Sequence, residues 1–440
     1  MAGYLVVALA LMPATTRAEN DDAITGLLRQ NQEGLPVAPG KRVPLTTPGP
    51  RPASPPPVVM SARIGEHEDR TRLVIELSDP VMLRSFVLAN PVRVVLDMPE
   101  VVWRLGSPPL PSRTGVIKSY RYGVFRAGNS RMVIDLNRPV TISEPLVIPP
   151  SAGFGYRVVI DLFPTSQAKF EAEVGWPADL KARETDAEQL AALVAATPSN
   201  AASGKKIVVI DPGHGGIDSG TSGVNGLLEK DLVLAEGLRL AKVLRARGYT
   251  VFMTRDKDIF IPLRDRVAFG RAHHADLFIS LHADSNPDPS VNGLSIYTLN
   301  DGRSDREAAA LAKRENQSDV IAGVDLTNAS PVAPILIDLA QRDTINKSSR
   351  FAATALTQLA GTTDILARSP HRSASLAVLV APDIPAVLIE LGYLSNQDDA
   401  AQMNTDSWRA GVGDAIATAV DRHFAPDPDT ALAAGRSARQ

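Results

Sequence analysis

Two histidines stand at the ends of apolar runs that read as β-strands. Ile207-Val208-Val209-Ile210 leads directly into Asp211-Pro212-Gly213-His214-Gly215-Gly216, and Asp276-Leu277-Phe278-Ile279-Ser280-Leu281 ends in His282-Ala283-Asp284. In open α/β sheets the carboxyl ends of strands face one crevice, so the pattern predicts that His214 and His282 share a site. Glycines flanking His214 allow backbone and substrate to approach closely. Between the two lies Glu229, in the first turn of an amphipathic segment that runs from Asp231 to Arg247. Two imidazoles and one carboxylate make a catalytic zinc set with the fourth tetrahedral position left open. Mg²⁺ prefers all-oxygen shells, which favours zinc. Complementing the helix dipole is the other role open to Glu229, one that Asp231 fills equally well. The run Ala386-Val387-Leu388-Ile389 ends in Glu390. A carboxylate in a partly desolvated pocket beside a metal can take a proton from attacking water and deliver it to a leaving amine. Capping or ion pairing is the alternative for Glu390. Spacing and periodicity reach a metal hydrolase and stop there.

The elements that must position these residues alternate in kind. Strand-like runs at 207–210, 249–254, 276–281 and 386–389 are interleaved with helical patterns at 231–247, 262–273 and 407–423. That alternation predicts an α/β domain, a mixed or parallel sheet with helices on both faces, over residues 205–424. A chain of 440 residues exceeds what one core usually organises, so a second unit is expected. Cysteine is absent, which rules out thiolate metal sites and leaves any metal to His and carboxylate. With 46 Lys+Arg against 49 Asp+Glu and no basic block interleaved with aromatics, the chain is no nucleic-acid binder. After the N-terminus no apolar stretch reaches the ~18 residues a membrane helix requires, so a transmembrane protein is not expected.

Residues 1–18 read as a signal peptide, with an apolar run from Tyr4 to Met12 and a small-x-small site at Thr16-Arg17-Ala18, although no Lys or Arg precedes the run. Export to the periplasm is the expectation. Residues 19–57 form a proline-rich linker. Short alternating segments over 58–165 predict an all-β sandwich that precedes the α/β domain. Within them Arg72-LVIELSDPV matches Arg131-MVIDLNRPV, and Val92-RVVLDM matches Tyr156-RVVIDL, so one unit occurs twice. One copy per sheet is the expected packing. Residues 166–204 read as a second, partly helical linker and 425–440 as a disordered tail. His273 and His274 close a helical pattern, Arg264 and Arg266 are expected at the surface or in ion pairs, and His371 is expected in a solvated loop. Trp103, Trp176 and Trp408 form no stripe.

The β-unit resembles the AMIN domain, which in its family directs cell-wall amidases to the division site. The set Asp211-Pro212-Gly213-His214-Gly215-Gly216, Glu229, Ser280-Leu281-His282-Ala283-Asp284 and Glu390-Leu391-Gly392-Tyr393-Leu394-Ser395-Asn396 resembles the zinc N-acetylmuramoyl-L-alanine amidases of type 3, over residues 206–423. The resemblance implies zinc on His214, Glu229 and His282, and Glu390 as the catalytic glutamate. It implies peptidoglycan as substrate, cut between N-acetylmuramic acid and L-alanine for septal splitting. A zinc carboxypeptidase or peptidase acting on stem peptides, and a non-catalytic wall-binding protein, are the rival readings. Division amidases of this kind carry an inserted helix that occludes the zinc until a protein activator displaces it. Here Ser304-Asp305-Arg306-Glu307 reads as a capping box that opens a helix with an apolar stripe of Ala308, Leu311 and Ala312. Glu315 falls on that stripe, where a carboxylate is out of place unless something binds it. A latch over 304–324, with Glu315 in the metal's open position, is the resulting expectation.

Overall fold

The computed structural model describes residues 55–105, 113–151, 153–177, 204–299, 305–323, 338–381 and 383–425. The expected signal peptide, most of both linkers, the tail, Ser304 and Val324 lie outside them. Among the described residues no helix is long and apolar enough to cross a membrane.

The β-unit is a two-sheet sandwich. Its first sheet runs β5 (Val102–Trp103), β1 (Val58–Glu66), β2 (Thr71–Leu77), β10 (Tyr156–Pro164), β8 (Val140–Ile142), with β9 (Leu146–Ile148) also on β10. The second runs β3 (Arg84–Leu88), β4 (Arg93–Pro99), β7 (Asn129–Leu136), β6 (Ile117–Arg126). Alternate residues point inward, as the strand period requires: Leu73, Ile75, Val94, Leu96, Met132, Ile134, Val158 and Ile160 form one core. The expected packing of one repeat copy per sheet is wrong. The first copy places β2 in one sheet and β4 in the other, and the second copy crosses over with β10 beside β2 and β7 beside β4. Ion pairs across the strands fix this exchange. Arg72 meets Asp161 at 2.7 Å and Arg131 meets Asp97 at 2.7 Å, so each copy's arginine finds its aspartate in the other copy.

The expected second linker begins as part of this unit. Helix α1 (Gln167–Glu173) is capped by Ser166, whose side chain accepts from Lys169 N, and it buries Phe170 in the sandwich core. Trp176 then packs against Phe86 with the two rings tilted.

The α/β domain is built on a sheet in the order β12 (Thr250–Met253), β11 (Ile207–Pro212), β13 (Leu277–His282), β16 (Ala386–Glu390), β14 (Ser295–Leu299), β15 (His371–Ala374). The first four strands are parallel, and β14 runs antiparallel to β16. One face buries Val208, Ile210, Leu277, Ile279, Val387 and Ile389 under helices α2 (Glu229–Ala246), α6 (Asp338–Leu359) and α8 (Asp406–Phe424). The other buries Val209, Phe278 and Leu388 under α3 (Leu263–Ala272) and α4 (Arg306–Glu315). A short helix α5 (Ser318–Ile321) follows α4, and α7 (Gln397–Met403) precedes α8. The start of α4 differs from the expected capping box. Asp305 is the N-cap, accepting from Ala308 N at 2.8 Å, and Glu307 reaches outward to Arg372 instead of back to the chain.

Candidate active site

Parallel strands deliver His214, His282 and Glu390 to one end of the sheet, as their positions in sequence predict. His282 and Glu390 are register partners on β13 and β16. Glu229 opens α2 and is buried, with Ala283 N donating to Oε1 at 2.8 Å and Thr221 N to Oε2 at 2.9 Å. Gly213 lies so close to the site that a Cβ there would stand 2.5 Å from the His282 ring. The space around the histidines therefore requires glycine.

The donor atoms converge. Glu229 Oε1 is 3.1 Å from His214 Nε2 and 3.2 Å from His282 Nδ1. Glu315 Oε2 is 3.4 Å from His214 Nε2 and 3.1 Å from His282 Nδ1. Both ring nitrogens are buried and have no hydrogen-bond partner of acceptable geometry. Four ligands on a tetrahedral ion at ~2.0–2.1 Å are separated by roughly 3.3–3.4 Å, the spacing found among these atoms. His214, Glu229 and His282 thus fit a divalent cation on donor chemistry as well as distance.

The charges are mutually held. Burial alone would lower His282, but Glu315 and Glu229 push it up to about 10. Burial likewise opposes the rise of His214, which the Glu229 and Asp218 carboxylates carry well above its ordinary value. Glu229 is driven well below the usual carboxylate range by the two histidines, against the effect of burial. Asp218 Oδ2 lies 2.9 Å from His214 Nδ1, which orients the ring with Nε2 toward the donor cluster. Glu390 is fully buried; Asp284 N donates to its Oε2 at 3.0 Å, and Oε1 has no partner. Burial first, and then neighbouring Asp284, raise its carboxyl well above the ordinary range.

Helix α4 lies over this cluster. Arg314 pairs with Asp284, Asn316 bonds Ser375 O and Ala377 N, Ser318 Oγ bonds Asp218, and Leu263 N donates to Asp319. These contacts bring the Glu315 carboxylate to the histidines, with only 7 % of the residue exposed.

Beneath the site is a buried layer that sequence reasoning missed. Arg266 was expected at the surface or in an ion pair; it is in a buried pair with Asp211 at 2.8 Å, and it also donates to Pro212 O, His214 O and Ile261 O. Arg255 grips Pro212 O and Gly213 O. His371 lies on strand β15, not in a solvated loop. His273 is the C-cap of α3, as its position in the helical pattern implies, and its Nδ1 lies 2.8 Å from Phe269 O.

Residues 208–422 match the family model described as N-acetylmuramoyl-L-alanine amidase, and residues 61–147 match the AMIN domain. Over 377 residues the chain is 34% identical to N-acetylmuramoyl-L-alanine amidase AmiC of Neisseria meningitidis serogroup B, covering 84% of this chain and 90% of that protein. The chain belongs to the N-acetylmuramoyl-L-alanine amidase family. Escherichia coli O6:H1 AmiC is 33% identical over 375 residues, covering 83% of this chain and 89% of that protein. AmiA of Escherichia coli K12 is 38% identical over 223 residues, 50% of this chain and 77% of that protein. The amidase is thus a cell-wall hydrolase whose α/β domain carries the convergent His-Glu-His group and whose β-unit is an AMIN domain.

Proposed function

We propose that this amidase is a zinc enzyme that hydrolyses the amide joining the lactyl group of N-acetylmuramic acid to L-alanine in peptidoglycan, and that it is held inactive by its own inserted helix. The observation that carries the reading is the convergence of His214 Nε2, Glu229 Oε1 and His282 Nδ1 beside an unpartnered Glu390 Oε1. His214, Glu229 and His282 are the ligands; a zinc ion there supplies Lewis acidity toward a carbonyl oxygen and toward water. Asp218 fixes the tautomer of His214 by accepting from Nδ1–H. Glu390 takes a proton from the water that adds to the amide carbon. It returns the proton to the amine nitrogen as the C–N bond breaks, leaving a lactyl carboxylate on the glycan and a free alanine amine on the peptide.

Glu315 Oε2 lies within 3.4 Å of both imidazoles, so with zinc held by His214, Glu229 and His282 its carboxylate would compete with water and substrate for the ion. Release requires a protein activator that draws α4 away. We propose a role in septal splitting in the periplasm with the AMIN domain as the targeting element, a reading supported by the AMIN match and by the likeness to AmiC proteins.

Mass spectrometry of soluble products from purified sacculi tests the activity. Intact stem peptides with a free N-terminal alanine are expected from the Glu315→Ala enzyme. Release of single amino acids would point to a peptidase instead, and no release would point to a wall-binding protein.

A further inference from the structure

The AMIN domain touches the α/β domain through the outward face of its four-stranded sheet, and it does so at the latch. Phe86, Leu88, Val95, Phe125 and Val133 of the sheet form one buried cluster with Ile217 and Phe260 of the α/β domain and with Ala322. Ala322 follows α5, seven residues beyond Glu315. Around this apolar contact stand three arginines on the same sheet face. Arg93 Nη1 donates to Val320 O, Arg121 Nε to Ile321 O, and Arg131 Nη1 to Ala322 O at 3.2 Å and Gly323 O at 3.1 Å. Successive carbonyls at the end of the latch, where the helix dipole favours positive charge, are thus all met by cationic donors.

The arginines are preorganised. Arg131 is 1 % exposed, paired with Asp97 and laid 3.5 Å over the Phe125 ring; Arg121 is paired with Asp135. The internal repeat gives a built-in comparison. Arg63, Arg72 and Arg157 are the repeat counterparts of Arg121, Arg131 and Arg93, since Arg63 faces Val74 as Arg121 faces Val133. In that sheet the chain's own turn takes the place of a helix end: Arg157 donates to Ser151 Oγ, and Arg63 and Arg157 flank the Phe154 ring. Only the sheet that faces the α/β domain grips the latch.

We propose that the AMIN domain is a brake as well as an address: Arg93, Arg121 and Arg131 clamp the carbonyl end of the latch and so hold Glu315 in the active site. This rests on the reading of α4 as an occluding helix. Glu315 and the clamped carbonyls are separated by one short turn, and between them Asn316, Ser318 and Asp319 hold the segment to the α/β domain. Pulling α4 away therefore requires that the AMIN contact part or that the turn tear. The same domain contact reaches the metal loop. Gly216 is so close to Val124 O that a Cβ there would stand 1.8 Å from it, and Ile217 lies in the shared cluster one residue before Asp218.

The test uses the full-length, zinc-loaded protein and dye release from labelled sacculi, with amide hydrogen exchange of residues 305–323 as the second readout. Arg93→Gln, Arg121→Gln and Ala322→Lys are compared with Glu315→Ala. Ala322→Lys leaves the AMIN domain untouched and drives bulk and positive charge against the arginines, so it remains informative if an arginine variant misfolds. Each clamp variant should raise basal hydrolysis on the order of tenfold and speed exchange in α4, as expected for a lost charge-assisted bond to a helix end. Unchanged hydrolysis and exchange in folded clamp variants, beside a Glu315→Ala enzyme that is activated, would overturn the brake and leave the occluding helix standing. Flat activity in every variant, Glu315→Ala included, would sink the occlusion reading and the brake with it.

Discussion

Replacing Arg266 by Met is the most informative perturbation outside the ligand set. The guanidinium is 2 % exposed and its partner Asp211 is fully buried at the end of β11. Removing the cation leaves Asp211 with two hydroxyl donors, Thr254 Oγ1 at 2.6 Å and Ser280 Oγ at 2.8 Å, and no ion-pair partner in direct contact. Three carbonyls also lose a donor, those of Ile261, Pro212 and His214. Breaking a buried ion pair by removing one partner typically costs about 3–5 kcal/mol. Against a typical domain stability of roughly 5–15 kcal/mol, that is a large share. The deficit should depend on pH. Arg266 holds Asp211 below the usual carboxylate range in spite of burial. Once the cation is gone, burial prevails and the folded-state carboxyl rises above its unfolded value. The variant then loses stability as pH climbs, so its deficit should be smaller at pH 5 than at pH 8. Urea unfolding at both values, followed by far-UV circular dichroism with zinc content measured in parallel, reads this out. Arg266→Lys should recover little, because one ammonium cannot reach three carbonyls and a carboxylate. A loss under about 1 kcal/mol with full zinc content would refute the claim that this pair supports the metal loop.

Glu390→Gln keeps size but cannot accept a proton; it should retain zinc and lose roughly 10²–10⁴-fold in rate in the Glu315→Ala background, and near-normal turnover would place the base elsewhere. Asp218→Asn should weaken zinc binding about 10–100-fold in a chelator competition, since it disturbs the outer nitrogen of His214; unaltered affinity would count against that support. Glu236 is buried in α2 with neither oxygen hydrogen-bonded, and burial pushes its carboxyl up to about 8. Its folded value lies above the unfolded one, so stability is lost as pH rises from about 4.5 to 8, on the order of 5 kcal/mol in all. Thermal melts from pH 5 to 9 should therefore show Glu236→Gln gaining on the unaltered protein, and a constant gap would contradict this.

How much of this was legible in sequence depended on whether a signal was local. His214, His282 and Glu390 announced themselves because a strand end is a local pattern, and a parallel sheet sends all such ends to one side. Glu315 was visible as a carboxylate on an apolar stripe, and it lies where that anomaly pointed. Arg266 was not visible as a buried support. In a short helix beginning after a proline it looks like any solvated arginine, and only the fold brings Asp211 to it. The repeat was plain in the sequence but its packing was not, because strand period tells which face is buried and not which sheet a strand joins. The Arg72–Asp161 and Arg131–Asp97 pairs decide that, across 89 and 34 residues of chain. A partly helical linker was expected after residue 165, but not that its first helix would bury Phe170 in the sandwich core.

The exchange of strands between repeats also sets an order of events for a chain that emerges from its N-terminus. The sheet of β3, β4, β6 and β7 is complete once residue 136 is available. The other sheet is not, because β2 waits for β10, whose last residue is 164. Until then β2 has β1 along one edge and nothing along the other, and its inward residues Leu73, Ile75 and Leu77 lack half their cover. An apolar strand with an open edge is a template for pairing with the wrong chain. The duplicated unit thus carries a window of vulnerability that a simple meander of the same length would avoid, closed only when the second copy reaches back to the first.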